Sequence, residues 1–209
     1  TVDGRDWWMT VPVLTSGRRD QEIRDVRIAP EAWWKSHLGQ IRRAYRSTPH
    51  FGAVFPRLEE TLAASTTSLL DLNLALLDLM FDVVGLPKPR RVLSSSLGVP
   101  NTGRTEREVD ICLRLRADEY LSGLAAKVYM KPALWTDAGV RLGWHVPDLV
   151  PYREAGYDPY ASILDLAFHE GGEGYRYVAG RIEWEAPGDE SQASRIRSLG
   201  AIRPGIGPL

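Results

Sequence analysis

The sequence predicts an α/β fold: a parallel, Rossmann-like sheet with helices on both faces, a helical insertion in the middle, and a small C-terminal hairpin and tail. Three observations predict it. Between Arg91 and Gly171, short β-prone runs alternate with helical patterns, as in a chain that crosses repeatedly over a parallel sheet. Glycine or proline marks each change of pattern, at Gly85, Gly103, Gly123, Gly139 and Gly171. The apolar run Leu69–Leu86 carries Asp71, Asp78 and Asp82 on one helical face, the pattern of a largely buried helix rather than a membrane span.

In order along the chain, Trp7–Leu14 and Ile23–Ile28 read as two strands around the polar turn Thr15–Asp20. Pro30 is placed to open a helix over Glu31–Arg46, which Thr48-Pro49 ends. Phe55–Val84 reads as mostly helical with a break around Ser65–Ser68. Arg91–Ser96 reads as a short strand, followed by the loop LGVPNTG and a helix from Thr105 to about Leu115, where Thr105 and Glu108 have capping-box spacing. Asp118–Ser122 is a second strand, Pro132–Ala138 a short helix closed by Gly139, and Val140–His145 a third strand. Ser162–Glu170 is a helix with Ser162 as N-cap, stopped by Gly171-Gly172. Tyr175–Val178 and Arg181–Trp184 read as a hairpin, and the Gly-, Pro-, Ser- and Arg-rich end as a tail. Residues 1–172 are thus expected as one domain and 173–209 as its hairpin and tail.

Composition narrows the function classes. A formal net charge of −1 does not suit a nucleic-acid coat or an anionic-membrane binder. Cys112 is the one cysteine, so no internal disulfide can form, which with the lack of a leader pattern fits a reducing, cytoplasmic setting. The expected partner is a small-molecule substrate, without nucleic acid or membrane insertion; a homodimer is compatible with all of this, and no cofactor can be named.

Ligands of open α/β sheets bind beyond the carboxyl ends of the strands. Three such ends carry small or polar residues: Ser94–Ser96, with Ser94 and Ser95 taken as candidate contacts, Ser122–Gly123, and His145. Emergence into solvent explains polar strand ends equally well. The start of the helix at Thr105 offers free N–H groups, flanked by Arg104 and Arg107, whose guanidinium groups suit a phosphate or carboxylate. The competing reading is a solvated first turn with Arg107 paired to Asp110 or Glu106. Arg42, Arg43 and Arg46, near His50 and Tyr45, form a second basic cluster whose plainer reading is a wet helix face. Cys112, between Val109 and Leu113, reads as buried and inert rather than nucleophilic. Asp165 and His169 share a helix face; without a third ligand motif, a local structural pair is favoured over a metal. Trp7, Trp8, Trp33 and Trp34 come as adjacent pairs, which either line a groove or pack on a neighbouring segment.

WWMTVPV (7–13), AYRSTPHF (44–51), DLN (71–73), RTER and ICLRLRADEYLSG within 104–123, Tyr129, and DPYASILDLAFHEG (158–171) together resemble the WbqC-like family over about residues 5–172. The resemblance implies a setting in bacterial polysaccharide or antibiotic biosynthesis. It also implies work on nucleotide-linked sugars or related metabolites, with acyl or aminoacyl transfer to an amino sugar. Family members usually open with an apolar strand–loop–helix resembling the first unit of nucleotidylyl transferases, and the sequence in hand starts after it. The leading expectation is a biosynthetic transferase in which Arg104, Thr105 and Arg107, with Ser94 and Ser95, hold an anion. His145, Ser122 and Tyr129 would act on the acceptor, and Arg43 and His50 would add a second anion contact. A non-catalytic accessory or scaffold protein and an ATP-using, nucleotidylyl-transferase-like enzyme are the alternatives.

Overall fold

The computed structural model describes residues 8–64 and 66–186. The chain divides into two compact units, Thr1–Arg90 with Asp148–Ala179, and Arg91–Pro147 with Gly180–Leu209. Among the described residues there are six α-helices and one three-stranded sheet.

The first unit is helical. Its opening segment corrects one expectation: Trp7–Leu14 and Ile23–Ile28 do not form a ladder. Val13 and Ile28 make an isolated antiparallel bridge, Arg27 and Ser68 another, and Ile23–Asp25 is a 3-10 turn. Pro12 has no N–H to donate and only accepts, from the Ala29 amide, so pairing cannot extend. Trp7 lies outside the described residues.

Helix α1 (Trp33–Tyr45) buries Leu38 and Ile41. Helix α2 (Phe51–Ala63) buries Val54, Phe55, Leu58 and Leu62, an i, i+4, i+8 stripe. Helix α3 (Leu69–Val83) begins where the Ser68 hydroxyl accepts from the Asp71 amide at 3.2 Å. The break expected around Ser65–Ser68 is therefore a cap, and α2 starts earlier than the apolar pattern suggested. Ser162 caps α6 (Ile163–Glu170) in the same way, accepting from Leu164 N–H at 3.3 Å. The four helices enclose Leu72, Val84, Ala167 and Phe168.

The second unit holds α4 (Arg104–Leu115), β1 (Glu119–Gly123), α5 (Pro132–Ala138), β2 (Arg141–Pro147) and β3 (Gly180–Trp184). Strand order is β1-β2-β3, with β1 and β2 parallel and β2 and β3 antiparallel. Two expected strands are corrected. Arg91–Ser96 is not a strand: Ser94–Ser96 is a 3-10 turn in which the Ser96 hydroxyl bonds the Leu93 carbonyl at 2.7 Å. Consecutive serines bond locally in this way and compete with a sheet ladder. Tyr175–Val178 is not half of a hairpin either. Gly171–Tyr177 is a 3-10 helix, and β3 pairs with β2 instead.

The register sets which side chains share a face. Ser122 lies beside Trp144 and Trp144 beside Glu183; Gly123 lies beside His145 and His145 beside Ile182. One face therefore carries Tyr120, Ser122, Leu142 and Trp144, of which Tyr120, Leu142 and Trp144 meet Val109, Cys112 and Trp135 from α4 and α5 in the core. The other carries Leu121, Gly143, His145, Ile182 and Trp184, of which Leu121, Ile182 and Trp184 are exposed. In place of helices on both faces, α4 and α5 cover one.

Candidate functional site

Helix α4 is amphipathic, with Thr105, Val109 and Cys112 buried. Glu108 falls on that same stripe, three residues after Thr105 and four before Cys112. Its Oε2 is buried without a hydrogen-bond partner. Burial pushes the Glu108 carboxyl above its usual range, against a hydrogen bond from Tyr120 and the charge of Arg104. Tyr120 reaches it from β1, on the covered face of the sheet. Burial, then the Glu108 charge, raises the Tyr120 phenol, while a hydrogen bond from Ser122 opposes. Ser122, Tyr120 and Glu108 thus sit close enough on the covered face to shift one another's protonation. Tyr120 is fixed by stacking on Trp135 at 4.3 Å between centroids, and Trp135 donates its indole N–H to Met130 Sδ at 3.1 Å.

Arg104, the first residue of α4, lies with its guanidinium 5.0 Å from the Tyr129 ring centroid. The Thr105 hydroxyl donates to the Tyr129 carbonyl at 3.4 Å. Thr105 is only 1% exposed, so it positions Tyr129 rather than meeting a ligand. The α4 N-terminus has Gly103 as its cap. A side chain there would collide with the Glu106 carboxylate, which folds back over the helix end. Lys131, at 2.5 Å, and then the Glu106 backbone N–H hold that carboxyl below its usual range. The dipole end thus carries its own carboxylate, and exogenous charge would have to be met by arginine side chains. Arg107 donates to Ser94 Oγ at 3.2 Å, and Ser95 is exposed in the same turn.

Arg104, Ser122 and Tyr129 of the expected set therefore come together around Glu108 and Tyr120, with Arg107 and Ser94 paired elsewhere in the same unit. His145 does not join them. The pleat sends it to the opposite face, where its ring covers Gly180 so closely that a Cβ there would sit 2.5 Å from Nε2. Cys112 is buried, and burial raises its thiol pKa, as an inert core cysteine requires.

Arg43 and His50 lie in the first unit. Arg43 is exposed on α1; His50 is half-buried, its ring packed over Gly171 and its amide donating to the Phe168 carbonyl at 3.1 Å. Near them is a closed ionic knot. Asp165, 3% exposed, accepts from the Tyr152 hydroxyl at 2.5 Å and pairs with the Arg153 guanidinium at 3.2 Å. His169 Nδ1 lies 2.8 Å from the Asp165 carbonyl and must donate there, because a carbonyl only accepts. Its Nε2 then faces Arg153 at 3.5 Å. Burial, then the Asp165 carboxylate, pushes the Tyr45 and Tyr152 phenols far above their usual range. The expected Asp165–His169 pair is part of this knot. Among the described residues no three His, Cys, Asp or Glu side chains group to hold a metal.

Glu108, Tyr120, Tyr152 and Arg153 were not singled out as site residues by sequence. Glu108 had a legible signal, a carboxylate on the apolar stripe of α4; the others needed the register and the path of the 148–162 segment.

A family model, the WbqC-like protein family, matches residues 1–177. Among curated proteins, the uncharacterized protein Rv1507c of Mycobacterium tuberculosis (strain ATCC 25618 / H37Rv) is 32% identical over 177 residues, covering 82% of this chain and 75% of its own. No solved structure matches.

Proposed function

The chain belongs to the WbqC-like protein family, and from that premise we propose that it is a biosynthetic transferase acting on a nucleotide-sugar or a similar phosphate-bearing metabolite, passing an acyl or aminoacyl group to an amino group. The observation that carries this reading is the buried, unpartnered carboxylate oxygen of Glu108, set among Tyr120, Ser122 and the charge of Arg104. A carboxyl raised by burial is a better base near neutral pH than an exposed one. Arg104, supported by the Tyr129 ring, grips the phosphate. Glu108 takes the proton from the acceptor amine as its nitrogen attacks the acyl carbon. The acyl–donor bond breaks, and the proton leaves with the donor group. The parallel β1–β2 pair is then the nucleotide end of a Rossmann-like arrangement, working in the cytoplasm.

The test is calorimetry against nucleotide-sugars, coenzyme A and ATP. Replacing Arg104 by Ala should weaken binding of the active ligand by roughly tenfold or more, since a charge-assisted hydrogen bond contributes about 1.5–3 kcal/mol. Unchanged affinity in the variant would remove Arg104 from the site. An accessory or scaffold role is the second reading, favoured by Trp8, which is 88% exposed. Silence across the ligand panel would support it.

A further inference from the structure

Strand β3 is the edge of its sheet, and its backbone has a defined polarity. Glu185 N–H donates to the Leu142 carbonyl, and Asp148 N–H to the Ala179 carbonyl. By the two-residue alternation of a strand, Arg181 and Glu183 also turn their backbone groups toward β2, so Gly180, Ile182 and Trp184 turn theirs outward. All five residues of β3 are exposed. An edge with outward N–H and C=O groups and apolar side chains is a template for another strand.

We infer that β3 pairs antiparallel with β3 of a second copy of this chain, about a two-fold axis through Ile182, to give a six-stranded sheet across the dimer. The residue pattern selects this partner and this register. Only outward-facing residues can exchange hydrogen bonds, which restricts the pairing to Gly180, Ile182 and Trp184 against one another. With Ile182 opposite Ile182, Gly180 faces Trp184, and Arg181 faces the Glu183 of the other copy twice over. Pairing Gly180 with Ile182 instead sets Arg181 against Arg181. Pairing Ile182 with Trp184 sets Glu183 against Glu183. Like charges directly opposite are destabilising and unlike charges favourable, so the flanking slips are rejected and the symmetric register is kept.

The exchange trades one exposed ion pair in each copy for two across the join. Within the strand Arg181 and Glu183 pair at 2.9 Å, with 64% and 45% of their side chains exposed. The join also extends an apolar surface. Leu121, Ile182 and Trp184 line the uncovered face around Gly143, where a Cβ would meet all three; in the dimer the two Ile182 side chains meet on that face.

Sedimentation equilibrium of the full chain tests this. The wild type should reach twice the chain mass. Arg181→Glu and Glu183→Arg should each weaken self-association by at least about tenfold, because each sets like charges opposite at two positions. An equimolar mixture of the two variants should recover the dimer, since each strand then offers one sign throughout. That recovery also shows that both variants are folded. A wild type that stays monomeric, dimers that ignore both reversals, or a mixture no tighter than the single variants would each overturn the inference.

Discussion

At the scale of single residues, Glu108 is the group hardest to explain by packing alone. Three and four residues away, Thr105 and Cys112 are buried, and a carboxylate on that stripe is held with one oxygen unpartnered. Folding therefore favours its protonated form. The sign follows: the folded chain binds more protons than the unfolded one above the unperturbed value of 4.5, so this group makes stability fall as pH rises through the window up to its raised value. Glu108→Gln should melt higher than wild type at pH 7, with the advantage disappearing below pH about 4. If it is the base, the same variant should lose turnover on the order of a hundredfold. Thermal melts across pH, with assays once a substrate is found, check both halves. A variant that melts lower at every pH would show Glu108 to be a stabilising partner of Tyr120. The sequence placed Glu108 in a capping box with Thr105; Gly103 is the cap, and Glu106 is the acid that folds back.

At the scale of elements, the Asp165 knot ties the segment carrying Tyr152 and Arg153 to α6. Asp165→Ala strands the Arg153 guanidinium, already with its Nε buried and unpartnered, and should cost about 3–5 kcal/mol in urea unfolding. Gly85, at φ +75°, ends α3 with the Gly172 carbonyl pressed against the place a Cβ would occupy. Gly85→Ala should therefore destabilise by at least about 1–2 kcal/mol, the cost of a left-handed conformation alone, measured the same way. Such stops and caps were the legible part of the fold: Ser162, Gly139 and Gly171 bound their helices much as their chemistry dictates, whereas Ser68 caps α3 where only a break was expected. The illegible part was pairing. RVLSSS has strand-like residues, but Ser96 bonds the Leu93 carbonyl within a 3-10 turn instead of joining a ladder. Arg181–Trp184 was read as a strand, yet its partner is the distant β2 rather than the neighbouring Tyr175–Val178. Local pattern reports extended backbone and cannot say what lies beside it.

For the whole molecule, the family match covers residues 1–177 and so runs through nearly all of the helical unit and through β1 and β2, while β3 lies beyond it. Among the described residues no helix is long and apolar enough to cross a membrane. Of the residues expected at a site, Arg104 was named from a helix start, Ser122 from a strand end and Tyr129 from the family resemblance, and the structure brings these three together around Glu108. His145 was named as a strand end as well but takes the other face, because the face of a strand residue depends on register, and Gly123 rather than Ser122 lies beside His145. That difference supplies the most direct test of the proposed function. Calorimetric titration of the nucleotide-sugar that binds wild type should be repeated with Arg104→Ala and with His145→Ala. Loss of roughly tenfold or more in affinity for Arg104→Ala, with His145→Ala unchanged, is the result predicted by a site on the covered face. Retained affinity in Arg104→Ala with loss in His145→Ala would contradict it.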